Sequence, residues 1–194
     1  MSYLLYRGTR LENNITTLIL ETQGGNTEAF HELVSYHDER VLTLALQLTR
    51  DKQDAEDLYQ EVFMKAYKAI GSFRLESEFF TWLYRITVNS FYNLQRKASR
   101  IQQQESLVPE KDSTHDIADD SIPSAANEEI QDAVTNALNQ LPIQQKTAFV
   151  MKHHEGLKIR EIATIMNLSD GTVKRYLFHA IEKLRPMLQG YRYA

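Results

Sequence analysis

LKIREIATIMNLSDGTVKRYLFHAIEKLR, residues Leu157 to Arg185, is the stretch that decides the fold. Ile159 to Met166 reads as a first helix with Ile162, Ala163 and Met166 on one face. Asn167-Leu168 makes a tight turn, and after glycine asparagine is the residue best suited to a positive φ. Ser169 then caps a second helix whose Val173, Leu177, Ala180, Ile181 and Leu184 face inward. Two short helices across such a turn form a helix-turn-helix. The second helix keeps Lys174, Arg175, Phe178, His179 and Glu182 on its outer side, with 175, 178 and 179 clustered by three- and four-residue spacing. An exposed phenylalanine among bases fits a thymine methyl in a major groove, and Arg175 can reach guanine edges or phosphate. An ordinary helical hairpin with solvated charges, and Phe178 packed on the domain's first helix, has the same pattern.

Outward from this stretch, Ile130, Val134, Ala137, Leu138 and Leu141 open the same unit, and Pro142 stops them, fitting the first turn of the next helix. Gln144 to His153 follows, with a break at Glu155-Gly156. The result is a compact four-helix bundle over residues 127–190. A second helical unit spans 24–100. Ala29, Phe30, Leu33 and Val34 begin an apolar face, and Val41, Leu44, Ala45 and Leu48 continue or restart it after the polar run Tyr36 to Glu39. Asp51 or Asp54 caps a helix burying Ala55, Leu58, Val62, Ala66 and Ile70, which Gly71-Ser72 ends. Arg74 to Glu78 reads as a loop, and Thr81 to Lys97 as a long helix with Leu83, Ile86 and Leu94 inward. Residues 1–23 stand apart as an N-terminal segment.

With 194 residues, 42% of them hydrophobic, the chain can bury one sizeable core or two small ones. Only four prolines and seven glycines interrupt the helical periodicity, so the fold class is all-α, two small domains joined by a linker. The linker, 101–126, carries six acids (Glu105, Glu110, Asp112, Asp116, Asp119, Asp120) against Lys111 alone. It has too few apolar residues for a core. Trp82 to Arg100, by contrast, holds Arg85, Arg96, Lys97 and Arg100 and no acid, so the net charge of -4 hides a segregation of sign. The absence of cysteine excludes disulfides and thiolate chemistry and fits a reducing compartment. Charged residues interrupt the N-terminus, no stretch reaches membrane-spanning length, and a cytoplasmic location is expected.

Two further constellations stand out. Phe73 to Arg85, followed by Asn89, Tyr92 and Asn93, interleaves aromatics with a basic helix, which suits a single strand whose bases stack on rings. The same rings also suit a core. Asp54 to Glu61 places Asp57, Gln60 and Glu61 opposite an apolar stripe; acids there complement the helix dipole, and the face also fits a basic partner. His153 and His154 are adjacent and point apart, a poor metal pair. There is no Gly-rich phosphate loop, no metal-ligand spacing and no spacing that marks a catalytic pair, so neither cofactor, metal, small-molecule substrate nor enzyme activity is expected.

These residues, in order, resemble the extracytoplasmic-function sigma factors, the sigma-E-like branch of the sigma-70 family. The resemblance rests on Gly25 to Phe30, Asp54 to Asp57 with Gln60 to Phe63, Phe73-Arg74, Thr81 to Ile86 with Asn89, Leu141-Pro142, Glu155 to Leu157, Glu161 to Ala163 and Gly171 to Lys174. It spans both units. A sigma factor directing core RNA polymerase to promoters is implied; the helix-turn-helix alone would also suit a stand-alone transcription regulator, and the acidic and aromatic faces a protein adaptor.

The resemblance implies that Asp54, Glu56, Asp57, Gln60 and Glu61 dock on the polymerase beta-prime clamp. Arg74, Phe79, Phe80, Trp82, Arg85, Asn89, Asn93, Arg96 and Lys97 would melt the minus 10 element and capture a flipped base. Thr172, Lys174, Arg175, Phe178, His179 and Lys183 would read the duplex minus 35 element, while that domain's rim meets the beta flap. The linker would be disordered in the free protein and thread through the polymerase. An anti-sigma partner, often membrane-anchored, is a further implied partner. Leu75 stands where many members have glycine, and Tyr176, His179 and Ile181 replace frequent arginines.

Overall fold

The computed structural model of the protein describes residues 14–105 and 125–191, and among them every regular element is helical. Most of the expected linker, from 106 to 124, lies outside the described residues. Helix α1 covers residues 14–23. It is followed by α2 (Thr27–Ser35), α3 (Asp38–Thr49), α4 (Lys52–Ala69), a 3-10 turn (Ile70–Ser72) and α5 (Phe79–Glu105). The second domain holds α6 (Ala125–Asn139), α7 (Ile143–His153), α8 (Ile159–Met166) and α9 (Asp170–Met187), closed by a 3-10 turn at Gln189–Tyr191.

Local chemistry sets most of these boundaries. Asn26 accepts from the N–H groups of Glu28 and Ala29 and starts α2. Asp51, of the two candidate aspartates, caps α4 by accepting from the Asp54 N–H at 2.7 Å. The apolar face restarts after residue 36, because α2 ends at Ser35 and the chain turns through His37 before α3. Pro142 sits at the N-cap of α7, one position before the first turn expected for it. Helix α5 runs eight residues past Lys97 to Glu105, the last five of them in the supposed linker, since no glycine or proline interrupts Ala98 to Glu105 and most of these residues favour helix.

The first domain buries Leu33 with Val41, Leu44, Ala45 and Leu48 of α3, Ala55, Leu58, Val62 and Ala66 of α4, and Leu83, Val88 and Phe91 of α5. Each of these leucine, valine and phenylalanine side chains contributes about 1.5–3 kcal/mol on leaving water, and the alanines less. Residues 14–23, read from sequence as outside the domain, belong to it: Leu18 and Ile19 enter the same core, with Ile15 packed beside them. Gln23 at the end of α1 donates from Nε2 to the carbonyls of Ile70 (2.9 Å) and Phe73 (2.8 Å), tying it to the turn before α5.

The second domain has two buried regions of different kind. Ala137, Leu138, Leu141, Ala180 and Leu184 form a small core of their own between α6 and α9. Ala148, Val150, Met151, Leu157, Ile162, Ala163, Ile165, Val173 and Leu177 instead join the core of the first domain without a break. The two domains are therefore docked, α8 on α5 and α7 on α3. Ile181, expected inward, is 40% exposed. At 3.6 residues per turn it lies about 70° off the line of Val173, Leu177, Ala180 and Leu184, on the flank of α9.

Candidate nucleic-acid interface

The helix-turn-helix forms on α8 and α9 with the turn chemistry its sequence calls for. Glu161 accepts the Lys158 N–H at 2.6 Å and closes the first turn of α8. Asn167 ends that helix at φ 55, ψ 50, the left-handed conformation. Ser169 Oγ accepts the Thr172 N–H at 3.1 Å and lies 2.9 Å from Thr172 Oγ1, so the hydroxyl of Thr172 is spent on the cap. Lys174, Arg175, His179 and Lys183 are exposed. Phe178 is 59% exposed with its ring 5.6 Å from that of His179, which removes the reading in which it packs on the domain's first helix. Tyr176 turns away from this face and donates to Gln144 at 3.0 Å. Four bases or donors and one bare ring thus share the open side of a helix that its own domain holds rigidly from behind.

The second set of residues lies on α5 and the loop before it. Arg74 is exposed, and Leu75 has φ 57, a left-handed value at the position where the resembling proteins often carry glycine. Phe73, Phe79 and Trp82 form a ring cluster with centroids 5.0–5.8 Å apart. Phe79 is buried at 5% exposure, so its expected role as a base contact is corrected: it supports Trp82 from within the core. Trp82 and Phe80 are half-buried. Arg85, Asn89, Asn93, Arg96 and Lys97 are all exposed and recur at three- and four-residue spacing below Trp82, a single polar stripe rising about 18 Å along the helix. Arg96 is held by Asn93 Oδ1 at 2.6 Å. Arg85 donates from Nη2 to the carbonyl of Thr164, across the domain boundary, at 2.9 Å.

Sequence reasoning missed the support of this stripe. His37 is buried, its ring 5.2 Å from Phe79, and burial, followed by the nearby Arg40, pulls its pKa down to about 4. Nothing in the polar run Tyr36 to Glu39 signals burial, because a helix break rather than periodicity turns His37 inward. Tyr84, Arg40 and Glu155 meet at the domain boundary, and Glu155 had been legible only as part of a break.

On α4, Asp54, Glu56, Asp57 and Gln60 are exposed, and half-buried Glu61 pairs with Lys65. Lys65 also donates to Ser90 of α5 at 3.0 Å. Met64 (59% exposed) and Tyr67 (47%) extend the acidic face with apolar surface at the spacing of one helix side, which the sequence reading did not pick out. Among the described residues no group of His, Asp or Glu is arranged to hold a metal ion, and no helix is long and apolar enough to cross a membrane.

Comparison with known proteins follows the same division. Sigma-70 region 2 matches residues 33–101, and Sigma-70 region 4 matches residues 131–184. The RNA polymerase sigma-H factor of Pseudomonas aeruginosa is 35% identical over 178 residues, 89% of this chain and 92% of its own length. The chain belongs to the extracytoplasmic-function branch of the sigma-70 family. The ECF RNA polymerase sigma-E factor of Haemophilus influenzae is 36% identical over 180 residues, covering 89% of this sigma factor and 94% of that one. Among solved structures, the sigma factor RpoE of Bartonella quintana, in complex with the anti-sigma factor NepR, is 26% identical with a TM-score of 0.67, over 82% of this chain and 96% of that one. Members of this family are transcription initiation factors.

Proposed function

We propose that this sigma factor brings core RNA polymerase to promoter DNA by reading a duplex minus 35 element with α9 and opening a minus 10 element on α5. The observation that carries the reading is the α8–α9 geometry, whose left-handed Asn167 and Ser169 cap set Lys174, Arg175, Phe178 and His179 on one solvent face. Arg175 serves guanine edges or phosphate, Phe178 a thymine methyl, and Lys183 the backbone. Thr172 acts through the cap. On α5, Trp82, backed by Phe79, offers a ring for an unstacked base; Arg74, Arg85, Arg96 and Lys97 meet phosphates, and Asn89 and Asn93 complete the edge, while Phe80, on the opposite side of the helix, packs on Tyr84 beneath Arg40 instead of facing the strand. Extruding a base costs a few kcal/mol, which strand capture and polymerase binding together supply.

In this reading the first domain covers 14–105, the second 125–190, and the acidic stretch between them threads the polymerase. Asp54, Glu56, Asp57, Gln60 and Glu61 dock on the beta-prime clamp, and the second domain meets the beta flap. Phosphodiester synthesis stays with the polymerase, and the chain works in the cytoplasm. An anti-sigma protein is its expected inhibitor, in line with the complex solved for the Bartonella relative.

The test is transcription from promoter DNA by purified chain and core polymerase. Start sites that vanish with Arg175→Ala/Phe178→Ala while core affinity is kept, and core affinity that drops with Asp57→Lys/Glu61→Lys, support the reading. A chain that occupies promoters stoichiometrically without polymerase, and gains nothing from adding it, is a stand-alone regulator instead.

A further inference from the structure

The loop that carries Arg74 is held by few contacts. Residues 74–78 are all exposed and Leu75 sits at φ 57, while the flanking rings of Phe73 and Phe79 are buried against each other and against Trp82. Among the described residues, Gln23 is the one side chain of another element that bonds to the backbone where this loop begins. It donates from Nε2 to the carbonyl of Phe73 at 2.8 Å and to that of Ile70 at 2.9 Å. The Ile70 carbonyl also accepts the Phe73 N–H at 3.0 Å, so the amide clasps from outside a turn that is already closed from within.

Glutamine suits this place for a chemical reason. Both acceptors are carbonyls, so only the amide nitrogen can face them, and its two hydrogens match the two acceptors one for one. Glutamate would set a carboxylate against two carbonyl oxygens, and methionine has the length without a donor. The backbone beneath the amide is fixed as well. The Gly25 N–H bonds the Thr22 carbonyl and the Asn26 N–H bonds the Glu21 carbonyl, both at 3.0 Å, with Gly25 at φ 96. That paired pattern closes a helix C-terminus through a left-handed glycine. Leu18 and Ile19, about one turn earlier on α1, enter the core. Gln23 therefore reaches the loop from a helix end that is capped behind it and anchored before it.

The peptide joining Phe73 to Arg74 is planar, so holding the Phe73 oxygen also sets the plane in which the Arg74 N–H and Cα lie. The Phe73 ring meanwhile lies 5.0 Å from that of Trp82. One amide thus controls the direction in which Arg74 leaves the core and the seat of a ring that backs Trp82. We propose, resting on the promoter reading above, that Gln23 is a positioning residue for minus 10 recognition, acting through the Phe73 carbonyl to orient Arg74 and Trp82 rather than touching DNA itself. Half-buried at the end of α1, Gln23 stands at the edge of the core, so its loss acts on the loop and leaves the docking face of α4 and the reading face of α9 as they are.

Trp82 is the only tryptophan in the chain, so its fluorescence reports on the ring cluster of the full protein before any polymerase is added. Gln23→Met removes the donor at constant length. In that variant acrylamide quenches Trp82 more strongly than in the wild type. With core polymerase, transcription from promoters changed one base pair at a time loses discrimination at minus 10 positions about five- to tenfold, the scale of one net hydrogen bond. Discrimination at minus 35 positions and affinity for core polymerase stay at the wild-type level. Gln23→Asn keeps a polar amide on the helix end but falls one methylene short of the carbonyls, so it folds without the bonds and shows the same loss; a cooperative thermal melt checks both variants. Wild-type discrimination at minus 10 in either folded variant, whatever Trp82 does, overturns the proposal and leaves the promoter reading intact. A loss shared equally by minus 10 changes, minus 35 changes and core affinity also overturns it, because Gln23 would then act only on stability. A wild-type chain that starts transcription nowhere with core polymerase overturns the promoter reading itself, and this role for Gln23 with it.

Discussion

Helices α5 and α9 carry the two candidate DNA faces, and they are built differently. On α9, Val173, Leu177, Ala180 and Leu184 are buried along one line and every residue proposed to read DNA stands on the other side, open to solvent. On α5, Leu83, Tyr84, Thr87, Val88, Ser90 and Phe91 are all buried, because this helix is packed by its own domain and by α8 of the other. What remains for DNA is a narrow stripe, one arginine of which is already engaged. A helix packed by elements of its own domain keeps a whole face open; a helix packed by elements of both keeps only a stripe.

The sharpest way to break this contrast is to cut into the shared side. Leu83→Ala removes a fully buried side chain from the continuous core and should cost about 2–5 kcal/mol, seen as a lower urea midpoint. Leu184→Ala falls in the small core between α6 and α9, 5% exposed with few neighbours to lose, and should sit at the lower end of that range.

Next comes pH, which acts on the first domain through His37. Its folded pKa is about 4, well below the 6.5 of the unfolded chain, so as pH falls through 6.5 the unfolded state takes up a proton that the folded state refuses. Stability is unaffected above that point and declines between pH 6.5 and 4, by about 3 kcal/mol at the limit. Urea unfolding at pH 7 and pH 5 should show the decline, and His37→Phe should flatten it. An unchanged slope in that variant would put the acid sensitivity elsewhere.

On the α9 side the expected losses are functional. Arg175→Ala or Phe178→Ala should each remove about 1–3 kcal/mol of discrimination at a minus 35 base pair, measured as relative transcription from promoters changed one pair at a time. Because both side chains are exposed, the melting curve should stay within about 0.5 kcal/mol of the wild type. A variant that melts early would mean Phe178 is packed after all. Ser169→Ala, which deletes the α9 cap, should cost about 1 kcal/mol of stability and weaken duplex reading only as far as the helix start frays.

That asymmetry also explains which parts could be read in the sequence. The α8 limits, the Asn167 turn, the Ser169 cap and the outer face of α9 were all legible, since each depends on residues within one helical turn. The acidic face of α4 was legible for the same reason. Phe79 was misplaced among the base contacts because an aromatic run looks alike whether its rings face a strand or a core, and only the third dimension separates Phe79 from Trp82. The docking seam had no local signal: Tyr84, Glu155 and Arg40 come from three elements, and neither their types nor their spacing announces that they meet. Ile181 failed for a subtler reason, sitting just far enough around α9 to miss the line it was assigned to. Helix α1 was passed over because Asn13 and Asn14 mask the start of a periodic stripe that begins only at Ile15.

The smallest expected effect is the most informative about the loop that joins the two sides of the first domain. Leu75 holds φ 57 between Phe73 and Phe79 while 42% exposed, so it bears left-handed strain without repaying it in the core. A left-handed conformation costs a residue with a Cβ about 1–2 kcal/mol, and glycine removes that at an entropic cost of about 0.5–1 kcal/mol. Leu75→Gly should therefore leave stability unchanged or raise it by at most about 1.5 kcal/mol, a shift visible in the melting temperature. The same change frees the loop that positions Arg74 and Trp82, so discrimination among minus 10 sequences should fall even as the fold gains. Stability and selectivity moving in opposite directions would show that strain at Leu75 is held in place to fix the reading edge; a loss of more than about 1 kcal/mol would show that Leu75 is anchored by packing and that the loop owes its shape to that contact.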